Sequence, residues 1–296
     1  MSDSTTLTHT LELLDPAEWT AREERHLARV ERFVGPHEQR AGRPHPVWDF
    51  LFTYYSLRPR QLRRWHPGFG VGLRGARHYR GRSGYAVVGG DVATVTAEHL
   101  AGRLDTVGFI AGLLSATASR PARLNCFGLH EWAMVYRAPE VRHGQVPLRL
   151  GAAGTDAVVE SMPLRCSHFD AFRFFTDAAV PRNSEMLSRE DQPAHEQPGC
   201  IHATMDLYKW CYKLGPLVES DLLMDCLDLA ADARMLDMQA SPYDLTEYGV
   251  APITIEDAAG RAEYVRQQQD LAQRAAPLRA TLLARCEQLL THGGRR

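Results

Sequence analysis

The C-terminal third of the chain carries the clearest folding signal in the sequence. From residue 201 onward, apolar side chains recur at helical spacing through residues 202–214, 220–238 and 256–290. Pro277 interrupts the third segment, and its ring and missing N–H group predict a kink there. These segments predict a domain built mainly of helices.

The N-terminal part predicts a polar tail followed by a helix. Residues 1–14 predict a flexible tail, after which Asp15 and Pro16 supply a helix cap and a first-turn proline. Gly35 and Pro36 are expected to end that helix.

The middle of the chain predicts a small sheet. Residues 83–90 are typical of a strand, and residues 91–119 then repeat apolar side chains at helical spacing. Residues 126–137 predict a buried helix, and residues 147–166 predict two short strands. We therefore expect a predominantly α-helical α+β fold, with a single α-rich catalytic domain over residues 15–296 and a small β-sheet insertion.

Composition narrows the class of protein. Apolar residues form 44% of the chain and charged residues 24%, as in ordinary globular proteins. No run approaches the roughly 20 apolar residues of a membrane-spanning helix, and the N-terminus lacks the apolar region of a signal peptide. The 34 basic and 36 acidic side chains leave a formal charge of -2, which argues against nonspecific coating of nucleic acid. We expect a cytoplasmic protein with no membrane partner.

An arginine-rich segment is the first candidate for binding. Residues 57–82 hold eight arginines, and no acid occurs between Asp49 and Asp91. Guanidinium groups suit phosphate oxygens, and interleaved aromatic rings could stack on bases. The alternative is that these arginines pair with acids from other parts of a nearly neutral chain. The binding interpretation assigns substrate contacts to Tyr54, Tyr55, Arg63, Arg64, Trp65, His66 and, from a later helix, Tyr208.

Three pairs of histidine and carboxylate form the second candidate. They are His130 with Glu131, His168 with Asp170, and His202 with Asp206. Each pair lies in an apolar or aromatic setting. One such histidine alone is most simply a hydrogen-bonded core residue, whereas three pairs that meet would form a reaction centre.

Spacing and residue type agree best around His202. Steps of four and three residues place His202, Asp206 and Lys209 on one face of a helix, and Lys213 continues that face. The rest of the helix is apolar. This polar face must therefore either pair internally or line a cavity.

A polar stretch, residues 183–199, links the second pair to the third. It contains His195 and Glu196 among other carboxylates and glutamines. Long polar loops in compact domains are often lids over functional sites, and a plain solvated loop is the alternative.

Three motifs resemble a known family. They are RRWHPG at residues 63–68, which follows Tyr54 and Tyr55, CSHFDAFRFF at residues 166–175, and EQPGCIHATMDLYK at residues 196–209. In these motifs the chain resembles an actinobacterial family of cytoplasmic proteins usually labelled 3-methyladenine DNA glycosylases. The resemblance covers most of the chain from about Pro44 and implies removal of alkylated purines from DNA.

The residues fit such a reaction in one way. An N-alkylated purine is a cationic leaving group, so its release needs a flipped and stacked base and a carboxylate near the sugar, without a metal. Asp170 or Asp206 would stabilise the cation or activate water, with His168 or His202 orienting it. Lys209 would supply an amine only in an enzyme that also cleaves the strand. We therefore expect a DNA-repair glycosylase-like hydrolase.

A metal-dependent enzyme is the alternative. The same imidazoles and carboxylates are ligands of non-haem iron, di-metal or zinc sites, and His130, His168 and His202 would hold the Fe or Zn. The six cysteines contain no C-x-x-C pair, so a thiolate zinc site is not indicated. Such an enzyme would be an oxygenase or hydrolase acting on a small, possibly phosphorylated molecule.

Overall fold

The computed structural model describes residues 11–40, 42–139 and 146–294, and within them helices predominate over one small sheet. The α-helices are α1 (Pro16–Gln39), α2 (Phe50–Thr53), α3 (Pro59–Leu62), α4 (Ala97–Ala101), α5 (Leu104–Ala118), α6 (Leu129–Ala133), α7 (Gly151–Ser161), α8 (Phe169–Phe172), α9 (Gln192–His195), α10 (Ile201–Leu214), α11 (Ser220–Gln239) and α12 (Ala258–Gly293). The strands are β1 (Glu12–Leu14), β2 (Val71–Leu73), β3 (Tyr85–Val88) and β4 (Val92–Val95). The predicted α+β fold with a majority of helix is confirmed.

Helices α5, α10, α11 and α12 form the packed centre of the fold. α10 packs along α11 and α12, and α12 also packs against α5. Asp257 begins α12 by accepting a hydrogen bond from the backbone N–H of Gly260 at 2.7 Å. Every residue of α10 as far as Cys211 is buried. A polar side chain on that part of α10 must therefore find its partners inside the protein.

The sheet joins the start of the chain to the arginine-rich segment. Its strand order is β1-β2-β4-β3, with β1 and β2 parallel and the other neighbours antiparallel. The backbone N–H of Arg74 donates to the carbonyl of Leu14 at 3.1 Å, and the indole N–H of Trp19 donates to the carbonyl of Arg74 at 2.9 Å. These bonds tie the first turn of α1 to the edge of the sheet.

The start of the chain differs from the expectation in two ways. Glu12–Leu14, expected within a flexible tail, forms β1, while residues 1–10 lie outside the described residues. Helix α1 continues past Gly35 and Pro36. Because Pro36 lies in the last turn, its missing N–H group and its ring disturb only the end of the helix.

The middle of the chain also differs from the expectation. Residues 147–166 do not form two strands, because most of this segment is helix α7. Val158 and Val159 are buried on α7, and packing of that helix face against the core outweighs the strand preference of β-branched residues. Within residues 91–119, β4 comes before the helices.

A single large hydrophobic cluster joins the sheet to the helices. It extends from Leu14 to Leu289, and a smaller cluster contains Val47 and Tyr243. Among the described residues, no helix combines the length and the apolar character that crossing a membrane requires.

His66 contacts both the sheet and α11. Its Nδ1 lies 2.9 Å from the hydroxyl of Tyr85, and its backbone N–H donates to the hydroxyl of Ser220 at 2.8 Å. Burial lowers the pKa of His66 to about 4, and the surrounding basic side chains act in the same direction. These groups are Arg82, His26, Arg64 and His99.

We predict that neutral His66 stabilises the fold fully above its unfolded pKa of about 6.5 and that this stability is lost as the pH falls towards 4. The loss amounts to about 2–3 kcal/mol. Urea unfolding of the native protein and of His66→Gln at about pH 7.5 and about pH 4.5 measures it. The native protein should lose more stability than the variant, and equal losses would contradict the assignment.

Candidate functional site

Helix α10 carries three of the predicted site residues on its buried face. His202, Asp206 and Lys209 are 5%, 1% and 9% exposed. The structure brings the other predicted histidines and carboxylates to the same region, in two groups. These residues are His130, Glu131, His168 and Asp170.

The first group, termed the His168 cluster, consists of His168, Glu196, Asp206, Lys209 and Asp170. Nε2 of His168 lies 3.3 Å from Oε1 of Glu196 and 3.3 Å from Oδ2 of Asp206. Nζ of Lys209 donates to Oδ2 of Asp206 and to Oδ2 of Asp170, each at 2.8 Å. The lysine bridges two carboxylates, which stabilises both in their charged form.

The second group, termed the His130 cluster, consists of His130, Glu131, Arg234 and Asp237. Nε2 of His130 lies 2.6 Å from Oδ1 of Asp237. Nη1 of Arg234 donates to Oε1 of Glu131 and to Oδ2 of Asp237, each at 2.9 Å. Both oxygens of Asp237 are bonded, so this cluster is a closed network of buried ion pairs.

His202 lies between the two clusters. Its ring centroid is 4.5 Å from that of His130 and 5.3 Å from that of His168. Burial lowers the pKa of His202 well below its ordinary value, and His130 acts in the same direction. His202 is therefore a neutral imidazole that resists protonation but can accept a hydrogen bond or bind a metal ion.

Burial and charge oppose each other within the His168 cluster. Burial disfavours the ionised form of Asp206, but Lys209 and His168 outweigh it and hold the pKa of Asp206 below its ordinary value. Burial raises the pKa of Glu196. Burial also disfavours charged His168, but Glu196 and Asp206 together raise the pKa of the imidazole. The two carboxylates thus favour a cation at the position of His168.

Two sets of three side chains have the ligand types and the proximity of a metal site. They are His130, His202 and Asp237, and His168, Glu196 and Asp206; within each set one ligand atom per residue lies within 4.8 Å of the others. In the first set, both carboxylate oxygens of Asp237 are already bonded, to His130 and to Arg234. In the second set, Nε2 of His168 is 3.3 Å from each carboxylate oxygen, which is longer than the roughly 2.7–2.9 Å of a charge-assisted hydrogen bond. Nε2 of His168 makes no hydrogen bond among the described residues.

A buried loop positions Glu196. Nε2 of Gln192 donates to Oε1 of Glu196 at 2.5 Å. Oε1 of Gln197 accepts from the backbone N–H groups of Arg123 and Gly199, each at 2.8 Å. Gly199 is required because a Cβ atom there would lie 2.8 Å from the carbonyl oxygen of Arg123. This end of the polar stretch is therefore packed structure and not an open lid.

A side-chain clamp positions His168. Oδ1 of Asn183 accepts from the backbone N–H of Cys166 at 2.8 Å, and Nδ2 of Asn183 donates to the carbonyl of Cys166 at 3.0 Å. The clamp holds the chain two residues before His168, which is the residue that precedes α8.

Two cavities adjoin the clusters. The first, of about 440 Å³, is lined by apolar side chains such as Phe50 and Met134 and by about as many polar ones, among them His202 and Glu131. The second, of about 710 Å³, is lined by Lys209 and other polar side chains. Tyr54 and Asp170 line both cavities. A small molecule in either cavity would therefore lie against side chains that belong to or touch the clusters.

The predicted aromatic contacts divide between the core and the cavities. Trp65 and Tyr208 are at most 2% exposed and pack in the hydrophobic core, so they cannot stack on a base. Tyr55 is also buried but borders the second cavity beside Tyr54.

The predicted basic contacts do not reach the two cavities. Arg63 binds Glu31 and Glu38 of α1, at 2.7 and 2.9 Å. Arg64 and His66 line a different cavity of about 190 Å³. For Arg63, the structure follows the alternative in which the arginine pairs with distant acids.

Three members of the clusters were not candidates from the sequence. The sequence places Glu196 only in a polar loop, and it places Arg234 and Asp237 in a helix that its apolar pattern predicts. The one sequence feature that indicates an ion pair here is the three-residue spacing of Arg234 and Asp237, which places opposite charges on one helix face. Their partners on α6 could not be identified from that spacing.

Comparisons with known proteins assign no family to the chain. No family model, curated protein or solved structure matches it. Its function is therefore inferred from the two clusters and the two cavities.

Substitution of Arg234 measures how much the His130 cluster contributes to the stability of the fold. Replacing it as Arg234→Met leaves Glu131 and Asp237 buried without their shared cation, so we predict a loss of about 3–5 kcal/mol in the free energy of unfolding. The matched control is Arg274→Met, because Arg274 is 46% exposed and pairs with the exposed Asp232 and Asp270. The control should change stability by less than about 1 kcal/mol. Urea unfolding measures both, and similar losses would show that the cluster is not a structural network.

Proposed function

We propose that this protein is a metal-dependent hydrolase that binds a divalent ion at His168, Glu196 and Asp206. The observation that carries the proposal is the convergence of these three buried ligands, whose ligand atoms lie within 4.8 Å of one another. They come from three separate segments of the chain. The adjoining cavities give room for a small substrate.

The ligand set suits a hard or borderline ion. One imidazole and two carboxylates, with no thiolate, are typical ligands of Zn²⁺, Mn²⁺ and Fe²⁺. His168, Glu196 and Asp206 are at most 2% exposed. Two carboxylates buried so close together are costly unless a cation lies between them. A proton on His168 meets this need in the absence of metal, and a divalent ion would replace that proton.

The surrounding side chains connect the ligands to the substrate cavities. His168, Glu196 and Asp206 line neither of the two cavities themselves. A divalent ion held by them would lower the pKa of a bound water, which is the nucleophile that a hydrolase needs. Lys209 fixes the orientation of Asp206 and also borders the second cavity. Its ammonium group can stabilise negative charge that develops on a substrate in that cavity.

The same geometry gives less support to excision of a purine base. That reaction needs an accessible carboxylate beside a pocket that stacks the base. Asp206 is 1% exposed and bound to Lys209. Asp170 is the carboxylate that borders both cavities, and cations lie against both of its oxygens. Ion pairing of this kind weakens a carboxylate as a base.

We predict that the protein binds about one Zn²⁺, Mn²⁺ or Fe²⁺ per chain, measured by elemental analysis after metal loading and removal of excess ion. His168→Ala and Glu196→Gln should each lower the affinity for the ion at least about tenfold, because each removes one protein ligand. The matched control is His195→Ala. His195 lies on neighbouring α9 and pairs with Glu185 at 2.8 Å, outside the cluster.

The control should keep its metal. Retention of the ion by both ligand variants, or its equal loss from the control, would contradict the site. Circular dichroism of each variant checks that the fold is intact.

Release of 3-methyladenine from methylated DNA separates the proposal from the glycosylase hypothesis. We predict no release by the protein, either metal-loaded or treated with EDTA, when free bases are measured by chromatography. Release that persists in EDTA and disappears in Asp206→Asn would overturn the metal-dependent proposal, because excision of a cationic base needs a carboxylate and no metal.

A further inference from the structure

The second cavity, the space of about 710 Å³ beside Lys209, carries an excess of positive charge. Its charged lining residues are Arg173, Arg189, Lys209 and Lys213, with Asp105 and Asp170. Three of the cations share Asp170: Nζ of Lys209 at 2.8 Å, Nη2 of Arg189 at 2.9 Å and Nε of Arg173 at 3.3 Å. Lys209 also pairs with Asp206, so these three cations meet two carboxylates and a net positive charge remains at the cavity.

Two of these cations can bind a further anion. The side chains of Arg189 and Arg173 are 57% and 42% exposed, whereas that of Asp170 is 6% exposed. The guanidinium carbon of Arg189 lies 5.0 Å from the ring centroid of Phe169, and that of Arg173 lies 4.5 Å from the ring centroid of Phe174. These cation–π contacts hold the two guanidinium groups in place. Each guanidinium has five N–H donors, so one contact to Asp170 leaves others for oxygen atoms of a ligand.

The same cavity has an aromatic wall. Phe109 and Trp210 line it with their ring centroids 5.9 Å apart in an edge-to-face contact. Phe109 is 47% exposed, so a ligand in the cavity can reach its ring. An apolar or aromatic part of a ligand would cover this ring and remove it from water.

We propose that the substrate is a small aromatic or apolar molecule bearing an anionic oxygen group, and that Arg173 and Arg189 bind this group. The inference rests on the proposed metal-dependent function, because it names the substrate class of that site. The apolar part lies against Phe109 and Trp210. Phosphate and carboxylate share the required chemistry, so the test distinguishes them.

Calorimetry with three matched ligands tests the proposal on metal-free protein prepared with EDTA. Phenyl phosphate, benzoate and phenol share one ring and differ in their charged group. We expect phenyl phosphate or benzoate to bind at least about tenfold more tightly than phenol, with an affinity that falls as salt is added. The tighter of the two identifies the anionic group. Equal binding of all three, or no binding, would overturn the inference.

Arginine variants locate the anion. The double variant Arg173→Gln with Arg189→Gln should lose most of the preference for the charged ligand, because Lys209 stays bound to its carboxylates and only Lys213 remains of the other cations that line the cavity. Arg137→Gln is the matched control, since Arg137 is 59% exposed and pairs with Glu160. If the double variant does not fold, Arg189→Gln alone should reduce the preference. Unchanged preference in the folded variants would overturn the assignment to these arginines.

Metal analysis of the same samples keeps the two proposals separate. The folded double variant should bind its ion as the native protein does, because neither arginine touches the three ligands. Native protein that prefers the anion but binds no ion would contradict only the hydrolase. Native protein that binds the ion but does not distinguish phenyl phosphate from phenol would contradict only the anion site.

Discussion

The burial of charge is the constraint on which the rest of this structure depends. A buried carboxylate is stable only when cations and hydrogen-bond donors surround it. Two residues meet this need, because Lys209 and Arg234 each bridge two carboxylates. The bridges also join elements: Lys209 links α10 to α8 through Asp170, and Arg234 links α11 to α6 through Glu131. The polar centre is therefore part of the packing that holds the helices in place.

The sequence predicts those parts of the site that a single helix determines. Steps of four and three residues predicted the shared face of His202, Asp206 and Lys209, because helix geometry alone sets that face. Glu196 and Asp237 depend on tertiary packing, since one lies in a loop and the other on a different helix. Helix α7 is a similar case in the fold, because its strand-like local preference is outweighed by the core that it contacts.

Charge patterns along the chain do not show where charge remains unpaired in space. The arginine-rich segment has no acid within it, yet Arg63 meets two glutamates of α1, which lies earlier in the chain. Arg173 and Arg189 come from segments with no such run, and they share one aspartate. The net charge that a segment presents to solvent thus depends on the ion-pair partners that the fold brings to it. That information is absent from any local window of sequence.

The parallel pairing of β1 with β2 has a consequence for the order of events during synthesis. Glu12–Leu14 leaves the ribosome before Val71–Leu73, with α1 between the two strands. A parallel pair needs such a crossover, so β1 must wait unpaired while α1 and the following segment emerge. The bond from Trp19 to Arg74 can form only at the same stage. Closure of this edge of the sheet is therefore a late step, although β1 is synthesised before the other three strands.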